Sequence, residues 1–471
     1  MANYQTKAAY GRSGISKILT SLSKFKVTNS NNFTIKEKCI YCVLIVLLLQ
    51  ALGCLPAPFL NAGYAKIMIG GGMGGAAFGI WDAMTGHGLS KMSLMALSIT
   101  PYITASIVLQ LLTVSSERIS SIMQDKTSEG AKTRWKLNAA LSAVLALTEG
   151  LAAAYGYGRQ GVFANTRWYA ILIIALYWAM GTALSVFAGW IMTTKVIGEG
   201  ATLNGISLIL LANILSSYGS DTADICAAIT LTSPAVWMVA VKAAVIIIAF
   251  IGIFVFVTAG QICEKRLPVV SSAKAIDNKI ATAYKSGYPI KLWAGSVVPV
   301  IFASQIFSLP GIIKSFSGST SKAMTVIANV FDTSAWFSAA HPAYTVGALL
   351  YVFAIVGFSY YYADISTNPR EVADSMQKKA QTISGYRPGR QTADYIKQQT
   401  HYVTMLGGFA LAAIALVPCI LGGMMGINRV SYLGTSVLIT VGVIIDIGRY
   451  IKSFTRYKKE RGFLHHGKTR K

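Results

Sequence analysis

Ten apolar stretches separated by polar connections leave this chain few environments to fold in other than a lipid bilayer. They lie at 39–60, 92–112, 137–157, 168–192, 203–217, 235–258, 292–313, 344–363, 403–421 and 430–448. Most hold about twenty residues, the length an α-helix needs to cross about 30 Å of hydrocarbon. Hydrocarbon supplies no hydrogen-bond partner, so each segment must pair its own backbone groups, and a helix does so. Composition agrees, with 54% hydrophobic and 13% charged residues over 471 positions. The expected fold class is an all-α polytopic membrane protein.

The net charge of +24 follows the connections. With the amino terminus inside, ten crossings bring the carboxy terminus back to the same side. On that count 34 of the 42 Lys and Arg residues are inside, seven are outside and Lys242 is within a run. This is strong positive-inside bias, so the charge reads as topology rather than as a nucleic-acid surface. Residues 1–38 carry basic residues without the apolar core of a cleaved signal. There Ile15, Ile18, Leu19, Leu22 and Phe25 form one stripe, predicting an amphipathic helix on the inner membrane surface. The six cysteines are scattered and imply no disulfide framework.

Several runs are broken. Residues 69–81 hold Gly70, Gly71, Gly72, Gly74, Gly75 and Gly79, a weak helix former tolerable at membrane depth only as a re-entrant segment beside protein or water. Pro101 falls near the middle of the second run, the fifth run is only 15 residues long, and 292–313 is interrupted by proline. Broken segments in both halves, 39–218 and 235–448, point to a central path between inverted repeats. Glu149 in the third run is a polar contact or a pathway group. Gly70, Gly72 and Gly75 fit GxGxxG without a surrounding βαβ unit, and no P-loop is present. No cofactor, metal centre or catalytic constellation is expected.

Two inside connections, 259–291 and 365–400, are long and patterned. The first presents Lys265 and Arg266 among β-branched residues and predicts a short hairpin. In the second, Asn368 caps a helix starting at Pro369, Gly385 stops it and Thr392 starts another, displaying Arg387 and Arg390 at a tip. These four cations are the expected docking surface for an anionic partner. The basic tail is 449–471.

ITPYITASIVLQLLT, LNGISLI, KRLPVVSSAKA, AGSVVPVIFAS and NPREVADSMQKKAQTISGYRPGRQTADYI occur here in the order in which the SecY family carries similar segments. The chain resembles that family, the channel subunits of the bacterial Sec translocon, over nearly its whole length. The resemblance implies ten transmembrane helices as two inverted five-helix halves around a central pore, with a re-entrant plug at about 70–91. It implies a ring of aliphatic side chains at the waist: Ile99 and Ile103 on the second span, Ile206 and Leu210 on the fifth, Ile301 on the seventh and Leu411 on the tenth. It implies a lateral gate of spans two and three against seven and eight, with Thr104 and Glu149 as its polar positions.

The implied activity is passage of unfolded secretory chains across the bacterial cytoplasmic membrane and release of apolar segments into lipid. Implied partners are SecE and SecG, the SecA ATPase, the ribosome and signal peptides. The chain departs from the family at Gln50, Ala51 and Phe59 around the end of the first run, and at GEGATL before Asn204. An accessory paralogue for specialised substrates therefore stands beside the housekeeping channel. Inverted repeats equally suit a secondary transporter, with Glu149 as its midplane group.

Overall fold

The computed structural model describes residues 35–61, 82, 84–125, 128–198, 203–232, 236–271, 286–293, 298–317, 321–333, 335–337, 342–383 and 385–466. The amphipathic amino-terminal stripe, plug residues 70–81 and 83, and the hairpin tip at 272–285 lie outside these residues.

Thirteen helices and three strands are described: α1 (Ile35–Leu52), α2 (Thr100–Ser115), α3 (Glu117–Gln124), α4 (Ser128–Arg159), α5 (Trp168–Ile191), α6 (Gly205–Thr232), α7 (Val236–Ile262), β1 (Glu264–Ser271), β2 (Ser286–Lys291), α8 (Val298–Ser317), α9 (Lys322–Phe331), α10 (Val346–Thr367), α11 (Pro369–Lys378), β3 (Gln381–Ile383), α12 (Arg390–Met425) and α13 (Asn428–His466). A π-helical turn, Met192–Gly198, continues α5. Six helical stretches among the described residues are long and apolar enough to cross a membrane: those of α4, α5, α7, α10, α12 and α13.

Several helix ends differ from the sequence expectation. Pro101 sits in the first turn of α2, where its missing N–H has no intrahelical partner to lose. It therefore starts the helix rather than interrupting one, and residues 92–99 are turns and bends apart from an isolated antiparallel bridge of Ser93 to Pro56. The fifth apolar run ends at 217, but α6 continues to Thr232. After the second inside connection begins, α11 ends at Lys378 instead of at Gly385. The chain then adds β3 and opens α12 at Arg390, two residues before Thr392.

The first half packs α4 against α5 and α2, and the second packs α12 against α10 and α13. The halves meet chiefly where α4 touches α8 and where α6 touches α7 and α13. Lipid tails are as apolar as the side chains, so close fit must hold these helices together. A side chain at Gly181 would collide with the Leu94 carbonyl, and one at Gly347 with that of Val330.

Candidate functional site

Where the two halves meet, one buried apolar cluster contains Ile99, Ile206, Leu210, Ile301 and Leu411, with the half-buried Ile103 packed against it. Ile99 and Ile103 sit at the start of α2, where the Ile103 amide donates to the Ile99 carbonyl at 3.2 Å. Ile206 and Leu210 are one turn apart on α6, and Ile301 is in the first turn of α8. Leu411 lies on α12, which carries the ninth apolar run, and α12 packs mainly on α10 and α13. Among the second-half helices, α13 packs more extensively on α6 than α7 does. It supplies Leu438, Ile439 and Val441 to the same cluster, and Leu438 is wholly buried. Motif matching passed over Leu438 because an aliphatic residue in an apolar run carries no signal of the neighbour it faces.

The seam beside this cluster joins α2, α4 and α8. Thr104 turns its hydroxyl back to the Thr100 carbonyl at 3.2 Å. Asn138 of α4 donates to Ser106 of α2 at 2.6 Å. Glu149 lies about three turns further along α4, on the same face as Asn138. Its Oε2 is buried without a hydrogen-bond partner among the described residues.

Just before the start of α2 is a polar seat for the residues that precede it. Asn213 of α6 donates to the Met84 carbonyl at 3.1 Å and to the Ser98 hydroxyl at 3.0 Å. Its Oδ1 accepts Gln50 Nε2 from α1 at 2.9 Å. Gly86, at φ +69°, brings its backbone against Asn213, a conformation that L side chains rarely adopt. A cavity of about 200 Å³ beside the seat is lined by Gln50, Ser98, Ser185, Asn213 and Ser216. Of these residues the sequence marked only Gln50, as a departure from the family and not as a contact, because Asn and Gln inside apolar runs read as tolerated exceptions.

The two basic connections form one unit. β1 pairs antiparallel with β2 and with β3, giving the order β2-β1-β3. Leu267, Val269 and Ile290 close a small core with Met376, Ile383 and Ile396. Arg266 is exposed and its guanidinium meets Glu264 at 2.6 Å, while Lys265 Nζ donates to Gln399 at 2.7 Å. Arg387 and Arg390 are exposed. Their turn is fixed by Thr392 Oγ1 donating to the Arg387 carbonyl at 2.8 Å and by Tyr386 stacked on Tyr395 at 4.1 Å. Burial and then the Arg449 charge push the Lys291 ammonium below its ordinary value, against the pull of Asp446 and Glu264.

Comparison with known proteins places this arrangement. The model of the SecY family matches residues 93–448. Protein translocase subunit SecY of Bacillus subtilis is 29% identical over 436 residues, covering 91% of this chain and 96% of the relative. A solved structure described as a protein conducting channel superposes with a TM-score of 0.61 at 20% identity, covering 94% of this chain and 97% of the other. Sec61 in the canine ribosome-channel complex superposes with a TM-score of 0.58 at 20% identity, with the same coverage of each chain. The family match spans most of the sequence, including every described helix from α2 to α12, and the chain belongs to the SecY family.

Proposed function

We propose that this chain is a protein-conducting channel that passes unfolded polypeptides across a bacterial cytoplasmic membrane and releases apolar segments sideways into lipid. The observation that carries the reading is the set of aliphatic side chains that α2, α6 and α8 bring into one apolar cluster where the halves meet. A short apolar constriction offers ions no replacement for their hydration, yet closes around any side chain that is threaded through it.

In this reading ten helices span the membrane as two inverted halves, both termini are cytosolic, and the residues before α2 plug the outer side. The waist is Ile99, Ile103, Ile206, Leu210 and Ile301, completed from α13 by Leu438, with Leu411 standing behind it on α12. Apolar segments leave between α2 and α4 on one side and α8 and α10 on the other, past Thr104 and Glu149. The sheet unit, with Lys265, Arg266, Arg387 and Arg390, receives the motor that pushes the chain, either the SecA ATPase or a ribosome. SecE and SecG are the expected membrane partners.

Reconstitution tests the proposal. Proteoliposomes holding the channel with SecE and SecG, supplied with SecA and ATP, should protect a signal-bearing reporter from external protease. Arg387→Ala should lower that yield about tenfold at matched protein level, because a guanidinium held at a fixed turn pairs bidentately with an anionic partner. No protection with the unaltered chain overturns the channel reading, and full protection with Arg387→Ala overturns only the docking role.

A further inference from the structure

The turns between residue 82 and α2 carry a buried imidazole that threading a polypeptide does not require. His87 is 9% exposed, Asp82 5% and Asp221 2%. His87 Nδ1 lies 2.7 Å from Asp82 Oδ2. Its Nε2 lies 3.5 Å from Asp221 Oδ1 on α6, within ion-pair range but outside hydrogen-bond alignment. Asp82 is itself fixed, since its Oδ1 accepts the Ser90 amide at 2.8 Å and its carbonyl the Thr85 hydroxyl at 3.0 Å.

A neutral imidazole donates from one ring nitrogen and turns a lone pair toward whatever faces the other. Between two carboxylates that leaves one contact repulsive. The imidazolium donates from both nitrogens and attracts both carboxylates, so the contact to α6 is worth most when His87 is charged. The location matters as well. α7 carries the chain about 40 Å from the end of α6 to β1, so Asp221, well along α6, is remote from the basic sheet.

We propose that Asp82, His87 and Asp221 form a proton-dependent latch, which holds residues 84–91 against α6 and tightens when the outer aqueous phase is acidic. The inference rests on the channel reading above and adds to it a means of regulation.

Burial alone would push the His87 pKa down. The hydrogen bond and charge of Asp82, with the charge of Asp221 and the backbone of Ser217 on α6, outweigh burial and hold it above the ordinary histidine value. The latched form thus binds the proton more tightly than the released form. Its stabilisation is complete below about pH 6.5, the ordinary value, and is lost as pH rises through the raised one. Other ionisable groups surround the site: Lys91 and Cys54 at the seat, Tyr157 of α4 beside Asp82, Tyr218 of α6 beside Asp221, and Asp224 one turn further on. Of these side-chain types only imidazole ordinarily changes charge near neutrality.

The test uses the full chain with its membrane partners in planar bilayers, reading resting ion conductance as the outer compartment is stepped from about pH 5.5 to about pH 8.5. The leak should rise about threefold to tenfold toward the alkaline end. His87→Asn should flatten that rise. Asp221→Asn, which keeps the bond between His87 and Asp82, should cut it by more than half. An unaltered pH dependence in Asp221→Asn overturns the latch, and that variant decides alone if His87→Asn fails to assemble. A chain that translocates a reporter yet shows a pH-independent leak overturns the latch and leaves the channel standing, whereas one that neither conducts nor translocates overturns the channel reading.

Discussion

In the proposed channel the waist and the seat lie along the same path, and they are built from opposite materials. The waist gathers isoleucine and leucine from α2, α6 and α8, whose contact is dispersion alone. The seat around Asn213 is directional, with three hydrogen bonds joining α1, α6 and the turns before α2. A seal that must close around any passing sequence gains nothing from directional bonds, which would favour some side chains over others. A segment that must return to one position after each passage needs them, because apolar contact alone specifies position poorly. In the proposed channel the two levels therefore separate sealing from positioning.

The strongest way to break this comparison is to make the waist polar. Replacing Ile103 and Ile301 together with Asn should raise resting conductance about tenfold to a hundredfold, because water admitted at one turn hydrates an ion through the constriction. Measured with residues 62–91 deleted, so that nothing else blocks the path, an unaltered conductance would remove these residues from the seal. The same assay sharpens the sixth place. Leu438→Asn on α13 should leak, whereas Leu411→Asn on α12 should leave conductance near its resting value, and the reverse result would return that place to Leu411.

A smaller effect is expected at the seat. Asn213→Leu leaves the Met84 carbonyl, the Ser98 hydroxyl and the Gln50 amide without their partner, at about 1–3 kcal/mol for each buried group that finds no other. Some of that is recovered by water in the adjoining cavity. The resting leak should then rise about threefold to tenfold, and the difference from the unaltered chain should vanish when residues 62–91 are deleted. A difference that survives the deletion would mean Asn213 shapes the waist itself, and the separation of sealing from positioning would fail.

What could be read from the sequence follows the same division. The apolar runs announced the helices because hydropathy over twenty residues sums many weak preferences, and the six membrane-length helices fall on six of those runs. Helix ends were lost where polar residues enter a helix. The sequence after Ser217 looks like a connection, yet α6 continues through Asp221 because His87 and its neighbours cover that carboxylate. β3 has three residues, too few to show alternation, and it exists because β1 offers an open edge. The aliphatic waist positions came from motif resemblance, since nothing in an isoleucine indicates which way its helix is turned. The seat did not show in the sequence because each of the three partners lies more than a hundred positions from Asn213.

The smallest effect should come from the seam, which belongs to neither level. Glu149 stands on the face of α4 that carries Asn138 toward α2, its Oε2 without a partner among the described residues, and α4 also touches α8. A buried oxygen left unbonded destabilises the closed seam, so an apolar segment that parts α4 from α8 relieves part of that cost by admitting water or headgroups. Glu149→Leu removes the penalty and should make the seam harder to open. Resting conductance should stay unchanged, because the waist is untouched. The signal hydrophobicity needed for release should rise by about one leucine's worth, a severalfold loss for a marginal signal and none for a strong one. Insertion yields across a graded series of signals read this directly. Yields that fall equally for weak and strong signals would show that Glu149 supports the fold of α4 rather than setting the threshold of the seam.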